Sequence, residues 1–288
     1  MKLTKIVFPV AGHGSRFLPA TKATPKEMLS VVDKPLIQYA VEEALEAGFQ
    51  DLIFITGRTK RSIEDHFDSN LELNMSNITE KKKNLFEQMN NMLPKSASCI
   101  YLRQGEPLGL GHAIFQAKPV LGEEPFAVIL ADDLIDAKPG VLKQMVEQYD
   151  DENSSLIAIE KVEKKNSIHY GMIASDNFDE KLINISDIVE KPEPKASPSE
   201  YGVVGRYIFS NKILNYLQKT QIGKGNEIQL TDAIKDSLNE INTYAFKFAG
   251  IRHDCGDKLG FIKANIEYAL NSKQFGKELE HYLKNRLG

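Results

Sequence analysis

The residues best suited to chemistry lie near the start of the chain, in Phe8 to Leu29, FPVAGHGSRFLPATKATPKEML. Gly12 and Gly14 permit backbone geometries that a side chain forbids and let a phosphate approach the amides closely. Arg16, Lys22 and Lys26 then place three cations within eleven positions, with no acid before Glu27. A glycine turn after a first apolar run, followed by fixed positive charge, suits a polyphosphate. Carboxylates that could meet such a ligand through Mg²⁺ come later. Asp132 and Asp133 directly follow the most apolar run in the chain, and Asp254 lies in Arg252-His-Asp-Cys-Gly-Asp257. One aspartate from each of two strand ends suits an octahedral ion that keeps several waters. Glu190-Lys191-Pro192 could grip a polar anionic molecule, and Gln104 carries an amide able to read a nucleobase edge. Each also has a plain reading: a turn or helix-capping aspartate, a surface ion pair, an exposed loop glutamine.

Other chemistries lose support. The six histidines are scattered, and none has a serine or cysteine partner in a triad-like arrangement. The opening loop lacks the GK[ST] ending of a P-loop, and there is no GxGxxG. A net charge of −4 offers no global basic field for nucleic acid or an anionic membrane, so any cationic site must be local. The KKK triplet at 81–83 has no interleaved aromatic residues, unlike a single-strand binding surface. Cys99 and Cys255 are far apart, without metal-type spacing, which fits a reducing compartment. With no signal-like or membrane-length apolar run, the expectation is a cytoplasmic protein.

The elements that must hold these residues alternate. Ile6–Phe8 reads as a buried strand, 36–47 as an amphipathic helix stopping at Gly48, 51–56 as a second strand and 59–67 as a short helix. Strands follow at 98–102 and 125–131, with helices over 112–121 and 140–149 and a further strand over 156–159. This rhythm predicts an α/β fold, Rossmann-like, with a mostly parallel sheet flanked by helices. From 170 the rhythm changes: strand-like pieces at 170–174, 182–190 and 202–209 read as a mixed or antiparallel addition. Helices over 210–219 and 227–239, a strand over 244–248 and two terminal helices within 257–288 complete the reading. Residues 70–93 are expected to form a helical excursion, a lid or a subunit contact. No linker marks independent domains, so 1–288 is read as one domain with its core over 4–270.

Taken together, AGHGSRFLPATKATPKEML, QGEPLGLGHA, the ADD turn, VEKP and HDCGDKLGF resemble the sugar-phosphate nucleotidylyltransferase family, in order from residue 4 to about 270. The chain closely resembles its bacterial members that join UTP to glucose 1-phosphate. It implies a nucleotidyltransferase fold with a mixed central sheet. Ala11 and Gly12 would meet the uracil through backbone groups, with Gln104 and Gly109 reading its edge and Gly14 beside them in the nucleotide loop. Arg16 and Lys26 would hold the triphosphate, and Asp132 and Asp254 would bind Mg²⁺. Gly171, Glu190 and Val203 would contact the glucose hydroxyls, and Lys191 the sugar phosphate. The family also implies a homodimer or homotetramer. His13 and Ser15 stand where the loop often has leucine and threonine, and Ala131 where proline or glycine is usual, while the charged residues are intact. A relative using dTTP or another sugar phosphate is the nearest alternative. A non-catalytic regulatory homologue is expected to have lost loop cations that this chain keeps.

Overall fold

The apolar run Ile6–Phe8 forms the middle of β1 (Lys5–Pro9), and its position explains its composition. β1 pairs in parallel with β4 (Asp51–Thr56) on one side and β6 (Phe126–Ile129) on the other. A strand covered on both faces must be apolar on both, and here successive side chains enter opposite cores. Ile6 and Phe8 pack with α1 (Leu36–Glu46) and α5 (Val141–Val146), with Phe8 stacked on Phe54 at 4.7 Å. Val7 packs on the other face, among residues of α3 (Leu110–Phe115), α6 (Ile213–Lys219) and α7 (Leu230–Ser237).

The structure, a computed structural model, describes residues 3–68 and 92–288. The excursion expected over 70–93 lies almost wholly outside the described residues. Among those described, the main sheet has ten strands. Its remaining members are β5 (Ser98–Arg103), β8 (Ser154–Lys161), β9 (Gly171–Ala174), β10 (Leu182–Asn184), β11 (Asp187–Glu190), β12 (Tyr201–Phe209) and β13 (Asn242–Lys247). The order is β10-β13-β8-β12-β6-β1-β4-β5, with β9 attached to β12 and β11 to β9. Neighbours β5, β4, β1 and β6 are mutually parallel, while β12 runs antiparallel to both β6 and β8. The sheet is therefore mixed and mostly parallel, flanked by helices, as the sequence predicted.

Three local features differ from the sequence expectation. The piece read as one strand over 182–190 divides, β10 pairing with β13 and β11 with β9. The aspartates after β6 begin a strand of their own, β7 (Asp133–Asp136), paired antiparallel with β14 (Ile251–Asp254). The two helices expected at 210 and 227 begin later, at Ile213 and Leu230. β2 (Ser30–Val31) and β3 (Lys34–Pro35) make a small hairpin leading into α1. α2 (Arg61–Phe67) follows β4, α4 (Lys118–Leu121) follows α3, and the chain ends in α8 (Lys258–Leu270) and α9 (Gly276–Leu287). Among the described residues no helix is long and apolar enough to cross a membrane.

Candidate active site

The opening loop leaves β1 as three single 3₁₀ turns, Ser15–Phe17, Ala20–Lys22 and Lys26–Met28. Thr21 Oγ1 donates to Gly14 O at 2.7 Å and pins the first turn. Lys26 thereby faces the end of β6, where its Nζ meets Asp132 Oδ2 at 2.5 Å. The second carboxylate arrives from β14. Residues two apart on a strand share a face, so Arg252 and Asp254 point the same way, and Asp254 lies opposite Asp133 in register. The backbone then turns at Gly256, whose carbonyl accepts from Arg16 Nη1 at 3.4 Å. A Cβ at Gly256 would stand 2.9 Å from Asp254 Oδ1 and 3.2 Å from Asp132 Oδ2, so the glycine keeps open the space between the two carboxylates. That arrangement fits Mg²⁺. Among the described residues no group of three or more His, Cys, Asp or Glu could hold a metal ion. An ion here would complete its shell from water and substrate oxygens, as Mg²⁺ commonly does.

Asp133 has a different job from its neighbour. Its Oδ2 accepts from Gly205 N at 2.7 Å, where the β12–β8 pairing slips between Val203 and Tyr207. Its Oδ1 accepts from Arg252 Nε at 2.6 Å. Arg252, with a side chain only 7% exposed, also reaches Glu160 at 2.6 Å and the Tyr170 hydroxyl at 3.2 Å. Arg252 is the cavity-lining cation that sequence reasoning passed over. Its one signal was a cation two residues before Asp254.

Beside these groups opens a cavity of about 240 Å³, lined among others by Asp132, Asp254, Gly171, Glu190, Lys191 and Val203. The structure thus gathers both metal candidates with every residue expected to bind the sugar or its phosphate. Glu190 is held at both oxygens: Oε1 pairs with Lys191 Nζ at 2.9 Å, and Oε2 accepts from Thr231 Oγ1 at 2.9 Å. Gly171 is required by this packing, since a Cβ there would lie 2.6 Å from Thr231 Cγ2. Lys191 has a positive φ of 45°, a conformation uncommon for a side-chain-bearing residue, and its amide donates to Tyr170 O at 2.9 Å.

The residues expected to bind the nucleotide lie across the parallel strand ends instead. Ala11 is buried just past β1, and Gly12 is exposed with open space beside it. Gln104, buried at the end of β5, donates to Gly109 O at 3.2 Å and contacts His112 Nδ1 at 3.0 Å. Gly109 adopts a φ of +97°, with Glu227 packed where a Cβ would project. Lys22 is exposed.

Electrostatics separate the carboxylates. Burial disfavours charge on both Lys26 and Asp132, but their mutual attraction outweighs it, raising the ammonium's pKa and lowering the carboxylate's. For Asp254, burial and then the Asp133 charge push the pKa up, and Arg252 opposes them. Burial, then Asp132, raises the Cys255 thiol to about 12, which leaves it unsuited to nucleophilic work at neutral pH.

Residues 6–271 match the model of a family described as nucleotidyl transferase. The chain belongs to that family. It is 44% identical over 285 residues to a UTP–glucose-1-phosphate uridylyltransferase of Staphylococcus saprophyticus, covering 99% of each chain. It is also 44% identical over 287 residues to the enzyme of that name from Bacillus subtilis, covering 99% of this chain and 98% of the relative. A solved UDP-glucose pyrophosphorylase complexed with UDP-glucose matches with a TM-score of 0.86 at 44% identity, over 94% of this chain and 100% of that one. A UTP-bound homologue from Acinetobacter baumannii matches with a TM-score of 0.90 at 40% identity, over 98% of this chain and 99% of its own.

Proposed function

We infer that this chain is a UTP–glucose-1-phosphate uridylyltransferase, moving the UMP group of UTP onto glucose 1-phosphate with release of pyrophosphate. The observation that carries this reading is the 44% identity over nearly the full length of enzymes with that activity. Its support in the molecule is a cavity lined by an oriented carboxylate–ammonium pair, Glu190 and Lys191, and by Asp132, which the loop cation Lys26 meets from the phosphate side.

The sugar phosphate is mostly dianionic near neutral pH, because the second pKa of a phosphate monoester is about 6. Its oxygen is already a nucleophile, so no protein base is needed. That oxygen forms a bond to the α-phosphorus of UTP in line with the bond that breaks, and pyrophosphate leaves with the electron pair. What remains is to bring two polyanions together in one orientation. Lys191 receives the sugar phosphate, while Glu190, Val203 and the open backbone at Gly171 seat the glucose hydroxyls. Arg16 and Lys26 take the triphosphate charge, and Ala11, Gly12, Gly14, Gln104 and Gly109 frame the base and its phosphates. Asp132 and Asp254 would hold Mg²⁺, which when bound neutralises phosphate charge. Two free cysteines fit a cytoplasmic enzyme. A homodimer or homotetramer is supported by Leu259, Ile262 and Ile266, a stripe exposed on one face of α8.

The test is pyrophosphate release from UTP plus glucose 1-phosphate, with and without Mg²⁺. Release that needs both substrates and the metal is expected. Equal turnover of dTTP and UTP would reject the uridylyl assignment, and unchanged turnover after chelation would reject the metal.

A further inference from the structure

Two consecutive residues of the opening loop make ion pairs in opposite directions. Lys26 reaches Asp132 beyond β6, and Glu27 reaches Lys60 beyond β4, with Glu27 Oε2 to Lys60 Nζ at 2.8 Å. β6 and β4 are the two neighbours of β1, so the loop that follows β1 is fastened to the strands on both sides. The two fastenings differ in kind. Lys26 and Asp132 side chains are 24% and 25% exposed and border the cleft, whereas those of Lys60 and Glu27 are 3% and 2% exposed. Lys60 sits at the turn leading into α2, with its carbonyl accepting from Ile63 N at 2.9 Å and its own amide bonded back to Gly57 O at 3.3 Å. Lys26 and Glu27 occupy one 3₁₀ turn, closed by Met28 N to Pro25 O at 2.9 Å and Leu29 N to Lys26 O at 3.1 Å. Fixing Glu27 therefore fixes the Cα of Lys26.

We propose that Glu27 and Lys60 are positioning residues that aim Lys26 at the phosphates, a role that rests on the assignment of Lys26 to the nucleotide triphosphate. A buried ion pair is weak evidence for stability, because desolvation offsets its attraction and an apolar pair of similar volume often serves as well. A fixed geometry is what an apolar pair would not supply here: Met and Leu can fill the space but cannot hold the turn by a directed bond. The Glu27 carboxylate also adds to the field that keeps Lys26 protonated.

The experiment compares Lys60→Met, Glu27→Gln, the double variant Glu27→Leu/Lys60→Met, and Lys26→Met in the full chain. It reads thermal stability, kcat, and KM for each substrate. Lys60→Met is expected to lose stability and about 10²-fold in kcat, the scale of a misplaced catalytic group, with KM for glucose 1-phosphate within about twofold of the parent. Glu27→Gln, which keeps the hydrogen bond, is expected to lose less. In the double variant the melting temperature is expected to return while kcat stays low, a separation that a purely structural role cannot give. If kcat returns with stability in the double variant, or Glu27→Gln and Lys60→Met both keep parental kcat, the proposal falls. If Lys26→Met itself keeps parental kcat, the role of Lys26 falls first and takes the proposal with it.

Discussion

The cleft has two walls built on different plans. The wall at β1, β4, β5 and β6 uses the carboxyl ends of parallel strands, where loops carry glycines and exposed cations; Gly12 and Arg16 are open to solvent. The wall at β9, β11, β12 and β14 uses antiparallel pieces whose side chains are already bonded, Glu190 at both oxygens and Arg252 to Asp133, Glu160, Asp254 and Tyr170. The first wall must accept a large ligand that brings most of its own charge. The second must measure a small one, and hydroxyl recognition demands groups oriented before binding. On the proposed assignment, that division gives a preformed sugar wall and a more open nucleotide wall. Within the first wall Lys26 ties the loop after β1 to Asp132 after β6, and Arg16 reaches from the same loop to the carbonyl of Gly256, just past β14.

The largest effect is expected at the seam between the walls. Arg206, on β12, is 2% exposed and forks onto Glu43 of α1, Nε to Oε1 at 3.0 Å and Nη2 to Oε2 at 2.7 Å. Its Nη1 also donates to Leu130 O at 3.2 Å, two residues before Asp132. Arg206→Met strands a buried carboxylate, so the unfolding free energy should fall by about 3–5 kcal/mol, read from chemical denaturation. If the seam aligns the walls, KM for both substrates rises together in this variant. A change in one KM alone would show that the walls are aligned by something else.

Next in size is Lys191→Ala, which confines the damage to one wall. Loss of one fixed charge contact at a phosphoryl site costs about 10²–10³ in rate, on the order of 3–4 kcal/mol. Steady-state kinetics should show a fall in kcat and a rise in KM for glucose 1-phosphate, with KM for UTP little changed. Near-parental activity would remove Lys191 from the mechanism, and an equal shift in both KM values would dissolve the distinction between the walls.

The two walls also differed in how readily they could be read from sequence. The loop cations stood out because glycines and prolines isolate Arg16 and Lys26 from helix or strand context, and the alternation of strands and helices made the parallel half of the sheet plain. What residue types and spacing could not separate, leaving it to the family resemblance, was Asp132 from Asp133. Adjacent on the chain, they diverge because Asp133 begins β7, whose partner β14 and cation Arg252 come from far along the sequence. The same holds for Arg252 itself, visible as a residue but not as the meeting point of Asp133 and Glu160. Long-range pairing leaves no local pattern. The single strand expected over 182–190 failed for a related reason: its apolar residues satisfy two different partners, β13 and β9, and only tertiary pairing reveals the break at Ile185 and Ser186.

The smallest effect predicted is also the most direct probe of a preformed sugar wall. Thr231 is 8% exposed at the start of α7, and its hydroxyl is the partner that holds the second oxygen of Glu190. Valine at this position keeps the shape and the methyl that packs against Gly171, and removes only the donor. A neutral group donating to a carboxylate is worth about 1.5–3 kcal/mol, but Glu190 keeps its bond to Lys191 and can turn toward the ligand, so about 1 kcal/mol, or roughly fivefold, is expected for Thr231→Val. That loss should fall on KM for glucose 1-phosphate, because the contact orients a binding group and leaves the phosphate-directed Lys191 in place. An unchanged KM would mean that Glu190 is oriented by Lys191 alone. A loss in kcat without a change in KM would mean that Glu190 acts on the transition state, and that the sugar wall completes its geometry only during reaction.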